Sequence, residues 1–161
     1  MIDRREIEEC RLLEGLSDEE KEILSCYLER VSFEEGEILF DEFSPADAFY
    51  LLKEGKVGLY RSDNFGRWTK IAVVYGGTPL GECAFLLGKP HSLRAVAESK
   101  VKAFRIDRKS FSCLKEEAPS VLLKLLELIV KILSERLKSE DMKFSQVCGF
   151  FSVPGGLQWR R

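Results

Sequence analysis

Between Leu80 and Ala97 the chain reads LGECAFLLGKPHSLRAVA, and the residue types in that order point to anion binding. Gly76, Gly77, Thr78 and Pro79 break the strand before it, Gly81 lets the backbone approach a ligand closely, and Glu82 opens a short apolar run with the marks of a helix start. Free amides at such a start attract phosphate. After Phe85, Leu86 and Leu87, the turn Gly88-Lys89-Pro90 leads into a run from His91 to Ala97 with the character of a strand. An acid and a strand one helical turn apart can hold a ribose hydroxyl and a phosphate together. Each residue also has a plainer use. Glu82 can cap the short helix with its charge at the N-terminal end, Ser92 can face water, and His91 can be a pocket residue that binds nothing.

Other chemistries fit the composition poorly. The chain has one histidine, too few for the several imidazoles of a cupin-type metal site, and no Ser-His-Asp or Cys-His order stands out. The expectation is that it is not an enzyme and holds no metal. Its five cysteines, Cys10, Cys26, Cys83, Cys113 and Cys148, are scattered and odd in number, which favours reduced thiols over disulfides or an iron-sulfur cluster. A net charge of -2 without a long basic run gives no reason for nonspecific affinity for nucleic acid or acidic membranes. The N-terminus MIDRREIEEC is charged from its third residue, unlike a signal peptide or anchor, so a cytoplasmic protein is expected.

With 161 residues, 45% of them hydrophobic, the chain has material for one well-formed core. Ser17-Asp18-Glu19-Glu20 is a capping box, and Ile23, Leu24, Tyr27 and Leu28 follow at helical spacing to about Arg30. Val31 to Phe40, divided by Gly36, reads as two short strands or one bent strand. The turn DEFSPAD, residues 41–47, follows. Strands are expected at 48–53, 56–61, 67–75 and 100–107, joined by Glu54-Gly55 and the turn Ser62–Gly66. Short strands at this spacing mean a barrel or sandwich. A short helix over 108–117 stops before Pro119, which suits the first turn of a long helix to about Met142. That helix carries two apolar rows, Val121, Leu125, Leu128 and Ile132 beside Leu122, Leu126, Ile129, Leu133 and Leu137. An arc so wide must be covered twice, once by its own barrel and once by a partner, most economically the same helix in a two-fold dimer. Its apolar runs never exceed three residues, too short for a membrane span.

The stretch Leu80–Ala97 resembles the phosphate-binding cassette of cyclic nucleotide-binding domains of the catabolite activator protein/FNR superfamily, in which Gly-Glu and small apolar residues precede Pro-Arg-Ser/Ala-Ala. Gly81, Glu82, Ala84, Pro90 and Ser92 match. The likeness extends through LLEGLSDEE, PADAFYLLKEGKVGLY and FRIDRKSF, over roughly residues 12–140. It implies a mainly β fold with flanking α-helices, a double-stranded β-helix or jelly-roll-like β-roll with an N-terminal helix and a long C-terminal helix. It also implies ligand binding by Gly81, Glu82, Cys83, Ala84, His91 and Ser92. Carried onto the long helix, the base-reading positions fall on Arg136 and Leu137, so Arg136 joins the candidate set as a group for a base or an acid.

Two departures qualify the resemblance. His91 stands where the family has the arginine that pairs with the cyclic phosphate, and a neutral imidazole lacks the permanent, bidentate fork of a guanidinium. Strand alternation turns Arg94 to the opposite face from positions 91, 93 and 95, so it does not replace that arginine. Phe43-Ser44 replaces the family's Gly-Asp, and a differently shaped turn beside the pocket is expected.

The expected organisation is one domain, 1–142, including the dimerisation helix, followed by a tail, 143–161, whose Phe144, Phe150, Phe151 and Trp159 are apolar enough to dock on the body or a partner. The tail is too short for a helix-turn-helix, so direct DNA binding is not expected. The function read from these features is a stand-alone regulatory sensor that binds a nucleotide or other small anion, prefers something other than cyclic AMP, and signals to a separate effector through its long helix. The alternative is a protein-interaction scaffold of the same fold whose pocket binds nothing.

Overall fold

The structure, a computed structural model, describes residues 2–150, without the side chains of Arg4 and of 144–150. The chain divides into two compact units between Ile129 and Val130. The first is a β-roll with helices at its ends. Two short helical segments, α1 (Arg4–Glu8) and a 3-10 turn (Arg11–Leu13), precede α2 (Asp18–Ser25). The capping box closes as the sequence implies: Glu20 N donates to Ser17 Oγ at 3.2 Å, and Ser17 N donates to Glu20 Oε2 at 2.8 Å. The helix ends at Ser25, short of Arg30, because Glu29–Phe33 is claimed by a strand pairing.

Eight strands follow, with helices between and after them: β1 (Glu29–Phe33), β2 (Ile38–Phe40), β3 (Ala48–Glu54), β4 (Lys56–Ser62), β5 (Trp68–Tyr75), β6 (Pro79–Leu80), β7 (Arg94–Ala97) and β8 (Val101–Asp107). They form two four-stranded antiparallel sheets, β1-β8-β3-β6 and β2-β7-β4-β5. The mainly β roll with flanking helices is thus the observed fold. Leu39, Tyr50, Leu52, Val57, Leu59, Val74, Leu80, Ala95, Ala97, Val101 and Ala103 form one buried cluster. Alternation explains the membership. Tyr50 and Leu52 join this cluster, whereas Phe49 and Leu51, one residue out of phase, are buried elsewhere. Phe49 meets Phe85 and Phe111 at ring separations of 5.0 and 6.4 Å, beneath the helices α3 (Glu82–Leu87) and α4 (Arg108–Glu117). A strand buried on both faces reads as the near-continuous apolar run AFYLL.

Asp107 caps α4, its carboxylate accepting from Ser110 N at 2.8 Å. The last helix, α5 (Pro119–Phe150), begins on Pro119 as expected but runs past Met142. Lys143 to Cys148 holds neither Gly nor Pro, so nothing in that stretch stops the helix. Val121, Leu122, Leu125 and Ile129 are buried in the first unit. The second unit begins at Val130, within α5, and there Val130 and Leu137 are exposed. The expected docking of Phe144, Phe150, Phe151 and Trp159 lies outside the described residues and side chains. Cys10, Cys26, Cys83 and Cys113 are free thiols, and burial pushes the Cys10 thiol up. Among the described residues no helix is long and apolar enough to cross a membrane.

Candidate functional site

The cassette hangs from strand β3. Tyr50 and Leu51 pair with Leu80 and Pro79, a two-residue strand that the proline-containing break does not announce. The chain then turns through Gly81, whose φ of 78° lies in the left-handed region that glycine enters without steric cost. A side chain here would also lack room. A Cβ on Gly81 would lie 3.2 Å from both His91 Cε1 and Phe40 Cε1. From Gly81 the chain enters α3, and Phe85 anchors that helix between Phe49 and Phe111. Gly88, again left-handed, ends it, and Lys89 N donates to Ala84 O at 3.0 Å.

His91 does not begin a strand. β7 starts at Arg94, and the main chain of His91 is instead tied to the 41–47 turn. Its N–H donates to Ser44 O at 3.0 Å, and its carbonyl accepts from Phe43 N at 2.7 Å. The imidazole lies on the ring of Phe40, centroids 3.8 Å apart and planes 12° apart, and the residue is 4% exposed. Burial pushes its pKa down from the usual imidazole value, with Asp47 pulling weakly the other way. It is therefore neutral where it sits at pH 7.

The turn that holds it carries a strained residue. Phe43 has a φ of 64° and is 74% exposed, so the main chain adopts at a phenylalanine the conformation that favours glycine. The sequence led us to expect a turn of different shape at Phe43-Ser44. In this chain the turn places Phe43 in the left-handed position.

Arg94 is engaged elsewhere, and since His91 lies outside β7 the strand alternation expected between the two does not apply. Its Nε and Nη2 donate to the two carboxylate oxygens of Asp41, and its guanidinium lies 3.9 Å over the Trp68 ring. The guanidinium beside Asp41 holds that carboxyl below its usual value.

The remaining candidates separate into groups. Glu82 is 3% exposed at the head of α3, and Cys83 Sγ lies 3.5 Å from its Oε1. Gly81, Glu82, Ala84 and His91 form one compact feature. Cys83 and Ser92 are exposed at its surface, and Arg136 lies on the second unit. Two residues that sequence reasoning passed over belong to the site. Phe40 supplies the surface on which His91 rests. Arg108 binds two pieces of chain, the 41–47 turn and α3: its Nη2 donates to Ala46 O at 2.8 Å and Phe85 O at 3.2 Å, its backbone N–H donates to Asp47 O, and its guanidinium lies 4.4 Å over Phe85. The sequence signal for Arg108 was its place in FRIDRKSF, one of the stretches that carry the family likeness. Among the described residues no group of three or more metal-ligating side chains is assembled.

The family model described as "Cyclic nucleotide-binding domain" matches residues 30–117, more than half of the chain. The cAMP-dependent protein kinase regulatory subunit of Aspergillus fumigatus is 32% identical over 105 residues, covering 65% of this chain and 25% of that protein. The cyclic AMP receptor protein of Thermus thermophilus is 28% identical over 132 residues, covering 82% of this chain and 59% of that protein. The chain thus spans about a quarter of the first and under two thirds of the second. Among solved structures, a cyclic nucleotide-binding domain from Methylobacillus flagellatus superposes with a TM-score of 0.79 at 21% identity, covering 96% of this chain and 88% of that one, and so shares the fold. The β-roll, the Gly81-Glu82 turn and the matched residues 30–117 agree, and the chain belongs to the cyclic nucleotide-binding domain family.

Proposed function

We propose that this protein is a non-catalytic regulatory module that senses a small nucleotide or related anion in the cassette Gly81–Ala97 and passes the result to a separate effector protein through α5. The observation that carries the reading is the buried Glu82 behind a left-handed Gly81, at the head of a helix, within the residues that match the family. A carboxylate so placed accepts from a ligand hydroxyl, while main-chain groups at the turn face the phosphate. The names of the two relatives, a cAMP-dependent kinase regulatory subunit and a cyclic AMP receptor, support a cyclic nucleotide as the ligand class.

Cyclic AMP itself is expected to bind weakly, because His91 is neutral and Arg94 is engaged by Asp41, so neither offers the phosphate a free guanidinium fork. The module works as a homodimer. Leu123, Val130 and Leu137, seven residues apart along α5, are each more than half exposed, which is the pattern of a helix awaiting a parallel copy. A second reading, a scaffold that binds no small molecule, is favoured by one observation: the His91–Phe40 stack closes over Gly81.

A thermal-shift screen of the protein against cyclic AMP, cyclic GMP, cyclic dinucleotides and common nucleotides, repeated with Glu82→Ala, tests the proposal. A ligand at about 100 times its Kd adds about 2.7 kcal/mol of stability. Stabilisation that Glu82→Ala abolishes supports the sensor, and a flat response at millimolar ligand throughout the panel supports the scaffold.

A further inference from the structure

We propose that His91 is a removable plug: its imidazole, laid on Phe40 and against Gly81, fills the ground that a cassette ligand needs, so that ligand enters only as the ring leaves. The proposal rests on the sensor reading above and names the residue that sets the affinity of that site.

Three observations support it. The ring is seated as a core side chain would be, nearly parallel to Phe40 at 3.8 Å and 4% exposed, although its neighbours Pro90 and Ser92 are exposed. It closes on the one face of the turn where a glycine leaves the main chain bare. An added Cβ there would lie 3.2 Å from the imidazole and from Phe40 alike, so the two rings occupy the space directly over Gly81. The main chain of His91 is pinned at both its N–H and its carbonyl to the 43–44 turn. The ring can therefore swing out by rotation of the side chain alone, without loss of the cassette's backbone pairing.

The energetic consequence is a tax on binding. If the cassette is open in only a fraction of molecules, the apparent Kd rises by the inverse of that fraction. A ligand must offer more than the stack and burial that the ring gives up, so weak ligands are shut out. Once displaced, the imidazole reaches solvent between Pro90 and Ser92, where it is free to take a proton.

The test uses the whole chain, with cyclic AMP as probe, and compares wild type, His91→Ala and His91→Phe by titration calorimetry, folding being checked by circular dichroism. The plug predicts that His91→Ala binds about tenfold more tightly than wild type, because the space is already open. His91→Phe, which keeps an aromatic ring on Phe40, binds no more tightly than wild type. Diethyl pyrocarbonate provides a readout that needs no ligand, since the chain has one histidine. Modification of His91 is predicted to be slow in wild type and at least about tenfold faster in Phe40→Ala. Equal affinity of wild type and His91→Ala, or a gain shared by His91→Phe, overturns the plug while the sensor stands. Reaction of wild-type His91 at the rate of free histidine overturns it without reference to ligand. Failure of all three proteins to bind cyclic AMP and the rest of the nucleotide panel overturns the sensor reading, and the plug with it.

Discussion

Arg94 is gripped by Asp41, its Nε 2.7 Å and its Nη2 2.9 Å from the two carboxylate oxygens, with Trp68 3.9 Å beneath the guanidinium. This pair occupies the cassette's own arginine and turns it into a link between the 41–47 turn, β7 and β5.

A lysine cannot reproduce that link, because it lacks the two-pronged donor and the flat face that lies on Trp68. Arg94→Lys is therefore expected to lower the melting temperature nearly as far as Arg94→Ala does, while leaving ligand affinity within about twofold of wild type. The folded-state pKa of Asp41 is lowered, so its contribution is present above the usual carboxylate value and lost as the pH falls through that range. Melting curves recorded towards acid pH should show a shallower decline for Arg94→Lys than for wild type. A lysine variant with wild-type melting would remove the structural role assigned here.

Gly58 on β4 sits where there is no room for a side chain. Glu98 lies across it, accepting from Tyr60 Oη at 2.5 Å and pairing with Lys70 at 2.5 Å and Lys56 at 3.2 Å, and these partners hold its carboxyl down at about 2. A Cβ on Gly58 would collide with the Glu98 carboxylate and lie 2.7 Å from the Tyr60 ring. Gly58→Ala should cost about 1–3 kcal/mol in urea denaturation, as overpacking does. In a Glu98→Ala background much of that cost should vanish, and a double-mutant cycle measures the coupling. Full additivity of the two substitutions would show that the collision is not the cause.

Phe43 holds a left-handed main chain with a side chain that is largely in water. Replacing it by glycine removes the steric penalty and little burial, so Phe43→Gly is expected to stabilise the protein by about 1 kcal/mol, whereas Phe43→Ala should not. Chemical denaturation midpoints decide between these outcomes.

His91 titrates with a definite sign. Its folded-state pKa lies below the ordinary value of 6.5, so the unfolded chain takes up the proton first as the medium is acidified. The stabilisation from the neutral buried ring is complete above that ordinary value and is lost as the pH falls below it. Between about pH 8 and about pH 5 wild type should lose stability that His91→Phe retains. An identical pH profile for the two proteins would contradict the burial of the ring.

The dimer is tested on the outward stripe of α5. Val130 and Leu137 are exposed, and a charge there cannot be buried against a second copy without large cost. Light scattering should report a dimer for wild type and a monomer for Val130→Glu combined with Leu137→Glu, with the β-roll still folded. Two equal masses would place the interface elsewhere.

Much of this fold was legible because local signals agreed with tertiary demand. Ser17 and Glu20 satisfy each other's backbone within one turn, and Val101 and Ala103 are buried while Lys102 between them is exposed, so pattern and environment coincide. The misses are elements defined by distant partners. β6 has two residues and exists because Tyr50 and Leu51 of β3 pair with it, and α2 gives up its last expected turn to the pairing of β1 with β8. The candidate site divides the same way. Gly81, Glu82 and His91 stood out from the motif alone, but Phe40 and Arg108 act through space, on groups from other elements that nothing in their own neighbourhoods announces. The run His91–Ala97 looked like one strand, yet His91 is drawn away by Ser44 and the strand waits until Arg94.

The most direct test of a sensing cassette closed by its own histidine is the proton NMR spectrum of that single imidazole during a titration with the nucleotides of the screen. In the free protein the account predicts ring resonances moved upfield by the face of Phe40, and their return to the positions of a solvated histidine, saturating with one ligand per chain, when a nucleotide binds. Saturable binding of a nucleotide that leaves those resonances unmoved, or free-protein resonances already at solvated positions, would contradict it.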